Sequence, residues 1–267
     1  MMSGMTLRFP LLPSLLTVAL LASACAHRPA AEPPVLLLGE VHDNAAQHAL
    51  RLEAFRALLD DGARPALLME QIDRERQPAI DRLRAGAAAP TADALWEAAG
   101  APTGWNWAFY RPFVQLALDH RLPLIAANVS RADSRRIMSD GLAAEGFEPQ
   151  VPEDIQAAHA GDIEASHCGM IDAATARRMA GAQVARDQFM ARMVETQAAR
   201  GVVLLAGNGH VRRDVGVPRW LGPAARSRSV SVGYLEAGDT PPPGAYDRIV
   251  TTPAQPREDP CTAMRKP

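Results

Sequence analysis

The stretch "VLLLGEVHDN", Val35 to Asn44, sets a carboxylate and an imidazole two positions apart, just beyond an apolar run and a glycine. On an extended exit from a strand, Glu40 and His42 project to the same side. Three more apolar runs end on groups of the same kind. "ALLM" is followed at once by Glu70 and Gln71, "LPLIAA" by Asn128 and then Ser130-Arg131, and "VVLLA" by Gly207-Asn208-Gly209-His210. Two carboxylates and two imidazoles meeting at one place have the make-up of a divalent metal site, with Glu40, His42 and His210 as ligands. They equally suit an acid/base cluster in which neighbouring charges push the pKa values apart. A plainer reading is that these residues cap helices and hydrogen-bond one another, since loops after strands are polar anyway.

The elements that must position these groups follow from the apolar runs. "VLLL" (35–38), "ALLM" (66–69), "LPLIAA" (122–127) and "VVLLA" (202–206) lack polar alternation, as parallel strands covered on both faces do. "SVSVGYLE" (229–236) and "DRIVTT" (247–252) alternate more and read as later or edge strands. Helical spacing fills the gaps, as in "AAQHALRLEAFRALLDDG", which Gly62 would stop, and from Asp172 to Arg200. The fold expected is α/β, a mainly parallel sheet flanked by helices, with a helical insert or small lid at 86–120 or 141–170. In such sheets ligands bind beyond the carboxyl ends of the strands, where the four polar groups fall.

Other residues carry weaker signals. "GWNWAFYRP" packs four aromatics into six residues, Trp105 to Tyr110, which is either core or a flat apolar wall with the Tyr110 phenol at its edge. His167, in "ASHCGM", is a candidate for the site. His27 lies in the N-terminal segment, His48 reads as a helix-surface residue, His120 as a helix end, and His159 falls in a poorly patterned stretch. Arg186 and Asp187 in the long helix are either a solvated face or groups that orient the rim from behind.

The chain has 267 residues, 48% of them hydrophobic and 22% charged, enough for one sizeable core. A formal net charge of -2 gives no reason to expect nucleic acid as a partner. No phosphate-binding glycine loop, Cys-x-x-Cys-His, His-Glu-x-x-His or Gly-x-Ser-x-Gly occurs, which removes several large enzyme classes. Residues 1–24 read as a signal peptide, with Arg8 before the apolar "LLPSLLTVALLASA". "LASAC" fits an ordinary cleavage site or, with Cys25 directly after it, a lipobox whose usual leucine is replaced by Ala22. Cys25 is accordingly expected to carry lipid and residues 25–34 to form a proline-rich tether to a membrane. Cys168 and Cys261 then remain as a pair, two free thiols or, in an oxidising compartment, a disulfide; the signal peptide favours the bridge.

"LLGEVHDN", "WAFYRP", "LPLIAANVSR", "SHCGM", "ARDQFMARM" and "LLAGNGHVRRDVGVP", in this order, resemble the ChaN-like haem-binding lipoprotein family from about Val35 to Cys261. The resemblance implies an exported protein, in the periplasm or on the outer membrane, that binds haem without covalent attachment in iron uptake, with a homodimer as a possible form. Tyr110 is then the first choice of axial ligand, Trp105 or Trp107 a wall, and His167, Asn128 and Arg131 further haem contacts. The wider superfamily resembles Tiki-type metalloproteases and erythromycin esterase-like hydrolases, whose glutamate-and-histidine motif falls on Glu40, His42, Glu70 and His210. The alternative it implies is a metal-dependent hydrolase.

Overall fold

A computed structural model describes Met1 and residues 33–86, 88–259 and 261–262. The signal peptide, Cys25 and most of the tether lie outside the described residues. In chain order the elements are β1 (Val35–Leu38), α1 (Ala45–Asp60), β2 (Ala66–Asp73), α2 (Gln77–Arg84), α3 (Ala92–Ala98), α4 (Trp107–Asp119), β3 (Leu124–Asn128), α5 (Arg131–Asp140), α6 (Glu153–Ser166), α7 (Ala173–Gln197), β4 (Val202–Leu205), α8 (Asn208–Val211), α9 (Pro223–Arg228), β5 (Ser229–Glu236) and β6 (Arg248–Thr252). The six strands form one all-parallel sheet in the order β3-β2-β4-β1-β5-β6. β5 is therefore an inner strand and β6 an edge. The sheet confirms the α/β expectation.

Strand alternation divides the core. Leu38, Leu67, Met69, Val203, Leu205 and Tyr234 face α1 and α4, packing with Phe55, Leu59 and Phe113. Val35, Leu37, Ala66, Leu68, Val202 and Leu204 face α7, packing with Met190, Ala191 and Val194. The stretch 86–120 supplies α3 and α4, whose Leu95, Tyr110 and Phe113 belong to the main core. The stretch 141–170 supplies α6, whose Ile155 and Ile163 enter two smaller clusters with α7. Among the described residues no helix is long and apolar enough to cross a membrane.

The same alternation aims the polar residues at the strand ends. Glu40, two residues past Leu38, continues toward α1 and α4, while Glu70, two past Leu68, continues toward α7. The strands end in register, Leu38 and Met69 both pairing with Leu205. One glycine is required here: a Cβ on Gly39 would lie 2.2 Å from Asn208 Oδ1, and that amide is held by both backbone groups of Tyr234, at 2.6 and 3.0 Å.

Candidate functional site

Glu40 is buried beneath the rim with its side chain fully covered, and three donors converge on it. The Tyr110 hydroxyl (2.5 Å) and the His42 ring Nδ1 (2.7 Å) reach Oε1, and the Arg51 guanidinium reaches Oε2. Arg51 is itself fully buried and also donates to Leu38 O at 3.1 Å. Burial draws its pKa down to about 10, so it is still a cation at neutral pH. His48, expected on the surface, is buried and stacks on Phe109 at 4.5 Å. Burial pulls it to about 4, so its ring is neutral, with Nε2 3.1 Å from the carbonyl of His42 and Nδ1 3.3 Å from Arg51. The loop that carries His42 is thus pinned from below by α1 and α4.

His42 itself is half-exposed, and its ring meets Trp105 edge-on at 4.4 Å. With Nδ1 on Glu40, its Nε2 has no hydrogen-bond partner among the described residues. Burial holds its pKa below the ordinary imidazole value, with Glu70 opposing and His210 reinforcing.

A second cluster faces it. His210 Nδ1 lies 2.6 Å from Asp187 Oδ1 on α7, and its Nε2 lies 3.4 Å from Glu70 Oε1. Glu70 also accepts the Gly207 backbone N–H at 2.7 Å. Burial alone would lower His210, but Glu70 and Asp187 outweigh it and raise the ring to about 10. Burial alone would raise Glu70, but the His210 cation and the hydrogen bonds hold it at about 2. His159, from the poorly patterned stretch, is buried with Nε2 3.2 Å from Asp187 Oδ2, too poorly aligned for a hydrogen bond.

This pairing has a pH signature. A raised imidazole pKa stabilises the fold fully below the unfolded value near 6.5 and loses that contribution as pH rises toward 10. A depressed Glu70 stabilises above about 4.5 and loses its contribution as pH falls toward 2. Between pH 6.5 and 10 the wild-type protein should lose stability relative to His210→Gln by about 1 kcal/mol per pH unit. Urea titrations across that range check this, and parallel curves for the two proteins would show that His210 is not held as a cation.

Two cavities open at the rim and share His42 and Glu70. The larger, about 710 Å³, has apolar walls from Ile163, Leu235, Pro241, Pro242 and Tyr246, with His210 and Arg212 at its polar side. The smaller, about 610 Å³, is bounded by Gln71, Asp73, Trp105, Asn128, Arg131 and Arg186.

The structure brings together Glu40, His42, Glu70 and His210, and it places Asn128 and Arg131 in the smaller cavity. Other candidates lie elsewhere. Tyr110 is fully buried, its hydroxyl committed to Glu40, and burial raises its pKa well above the ordinary phenol value. Trp107 stacks on Trp96 at 4.5 Å and donates to Asp93 at 2.8 Å, lining neither cavity; Trp105 takes the wall position. His167 lies at the C-terminal end of α6, its Nδ1 2.8 Å from Ile163 O, and lines neither cavity. Among the described residues no group of three or more His, Cys, Asp and Glu side chains is set to hold a metal ion. The ligand set of Glu40, His42 and His210 is unsupported because Glu40 is occupied by three donors and His210 sits between two carboxylates. Cys168 and Cys261 are joined in a disulfide.

Fold and site together define an open, all-parallel α/β protein with a glutamate–histidine rim at its strand ends. The chain belongs to the haem-binding uptake family ChaN of the Tiki superfamily, whose model matches residues 27–221. Among solved structures it is similar to ChaN of Campylobacter jejuni with cofacially bound haem. That match has a TM-score of 0.66 and 22% identity, covering 79% of this chain and 84% of that one. More distant are a mutant of the erythromycin esterase EreC in its open conformation (TM-score 0.47, 13% identity, 85% and 78% coverage) and the MARTX toxin effector domain RRSP of Vibrio vulnificus (0.41, 16%, 71% and 32%). No curated protein matches the chain.

Proposed function

We propose that this protein carries haem, bound non-covalently at the His42 rim, in haem-iron uptake. Family membership supplies the ligand class, and one observation carries the site. His42 offers an Nε2 without a partner among the described residues, between two cavities, while Glu40 holds its Nδ1. A histidine that ligates a metal is braced in this way, by a carboxylate on the other ring nitrogen. The residues present fit the group: the larger cavity has the size of a small-molecule pocket, roughly 300–1,000 Å³, and an apolar wall for a macrocycle. Tyr110 serves as a brace for Glu40, not as the iron ligand first expected from the resemblance. The leader at 1–24 would direct export and be removed, and a lipid on Cys25 with the tether of 25–34 would hold the domain at a membrane on the periplasmic side. Cofacial haem in the Campylobacter protein supports a homodimer in which two copies bring their haems together.

Titration with hemin should give a saturable Soret shift. His42→Ala should abolish the wild-type band, and Glu40→Gln should weaken affinity by about 10–100-fold, as loss of such a brace does. Tyr110→Phe should keep the wild-type ligand spectrum. A wild-type spectrum in His42→Ala would remove His42 as the ligand.

The second cluster favours a second reading, a hydrolase. His42, neutral and oriented by Glu40, would act as a general base. The His210 cation, held by Asp187 and Glu70, would stabilise developing negative charge. Esterase and peptidase substrates that survive unchanged by the wild type, and by it no faster than by His42→Ala, would leave the haem reading alone.

A further inference from the structure

The smaller cavity holds polar groups that the rim chemistry does not use. Gln71 is 1% exposed and interacts with the Tyr110 hydroxyl beside it, yet neither end of its amide reaches hydrogen-bond geometry with any group among the described residues. Asn128 donates to Asp73 at 3.0 Å, but its own carbonyl oxygen is buried without a partner. Arg186 makes only two long contacts, to Gln183 at 3.2 Å and Ser134 at 3.4 Å, and its buried Nε has none. Arg131 lies one turn before Ser134 on α5. Neither arginine is ion-paired among the described residues, in a protein where Arg74, Arg136, Arg177, Arg212, Arg219 and Arg257 all are.

Buried polar groups left unsatisfied weaken the free protein, and a guanidinium is the side chain best matched to a carboxylate. Two carboxylates already line the cavity, but neither is in contact with either arginine. Glu70 is committed to Gly207 N–H and to the His210 cation, while Asp73 accepts from Asn128 and feels the Arg186 charge without forming an ion pair with it. The cavity also shares His42 and Glu70 with the apolar one, so a single ligand can reach into both. We infer that the chamber between Asn128, Arg131 and Arg186 is a carboxylate subsite, which receives the acidic arm of a ligand whose apolar body fills the larger cavity. This rests on the haem reading, in which the carboxylate is a haem propionate. Gln71 and Arg186 Nε supply donors that the free protein leaves unused, and Trp105 closes the chamber beside the His42 ring.

The test compares hemin with its dimethyl ester, in which both propionates are esterified and the ring is unchanged. Binding is followed by the Soret band of the purified protein. The wild type should bind hemin about tenfold or more tightly than the ester, a difference of about 1.4 kcal/mol. Arg186→Gln should bring the two ligands close to parity, and Arg131→Gln should narrow the gap, while both variants keep the wild-type Soret position. Arg131 is exposed, so Arg131→Gln decides the matter if Arg186→Gln does not fold. Equal affinity of the wild type for hemin and ester, or a preference that survives both substitutions, overturns the subsite and leaves haem binding standing. No Soret shift with either porphyrin overturns the haem reading, and the subsite with it.

Discussion

Arg51→Met should lower the stability of the protein by about 3–5 kcal/mol, the usual result of removing one partner of a buried ion pair. Arg51 is fully buried and, among the described residues, is the only formally charged donor to the equally buried Glu40 carboxylate. Its loss leaves Glu40 with the Tyr110 hydroxyl and the His42 ring, and strips Leu38 O and His48 Nδ1 of their shared donor. Methionine fills much of the volume, so the cost reflects the stranded charge and not a cavity. The cation also lies over the Phe113 ring at 5.8 Å, a minor part of the whole. Urea unfolding near neutral pH measures the loss. Glu40→Gln combined with Arg51→Met should recover a substantial part, because the double variant buries no unpaired charge. A loss under about 1 kcal/mol in the single variant would mean that Glu40 is already neutral in the folded protein. Hemin affinity should fall alongside stability, since the carboxylate that orients His42 is no longer held.

That network marks the boundary of what the sequence discloses. The first four strands are legible because burial on both faces forces uninterrupted apolar runs, as at 35–38, and the more alternating 229–236 also emerges as a strand with the expected bounds, although as an inner one. The ends of parallel strands share one edge, so Glu40, His42, Glu70 and His210 could be brought to one rim without knowledge of any contact. Arg51 and His159 could not, and Asp187 carries two readings, a solvated face or a group that orients the rim from behind, of which the 2.6 Å contact to His210 bears out the second. Each sits on a helix whose rotation about its axis decides whether a charge is solvated or buried, and α1 carries its arginines among leucines and alanines with no clear polar face. A buried arginine is visible only once its partner, eleven residues away on another element, is placed against it. Trp105 and Trp107 show the same sensitivity. Asn106 caps α4 between them, so Trp105 stays in the loop beside His42 while Trp107 turns with the helix toward Asp93. For Tyr110 the aromatic run leaves core and ligand wall both open, and it does not disclose that the phenol ends on the Glu40 carboxylate beyond β1.

Reduction of the disulfide, or replacement of both cysteines by serine, should lower stability by about 2–4 kcal/mol. The bridge joins residues 93 apart and so closes a long loop in the unfolded chain, which is where a cross-link of this kind acts most. Its effect on the site should be much smaller, for a reason found in the segment before Cys261. Arg257 donates to Asp43, the residue after His42, and to Glu236 at the end of β5, at 2.7 Å and 2.6 Å for the respective closest contacts outside the shared Nη2. Glu236 in turn accepts from Asn44, the cap of α1, at 2.7 Å. These bonds tie the tail to the His42 loop without help from sulfur. The reduced protein should therefore melt earlier but keep hemin affinity within about threefold, less than one tenfold step of 1.4 kcal/mol. Arg257→Ala in the oxidised protein should instead loosen the loop that presents His42, at a cost of about 1–3 kcal/mol because the Glu236 carboxylate it leaves behind is buried. If reduction instead abolishes hemin binding at a temperature where the fold persists, the tail is held over the site by its covalent end, and Arg257 only follows.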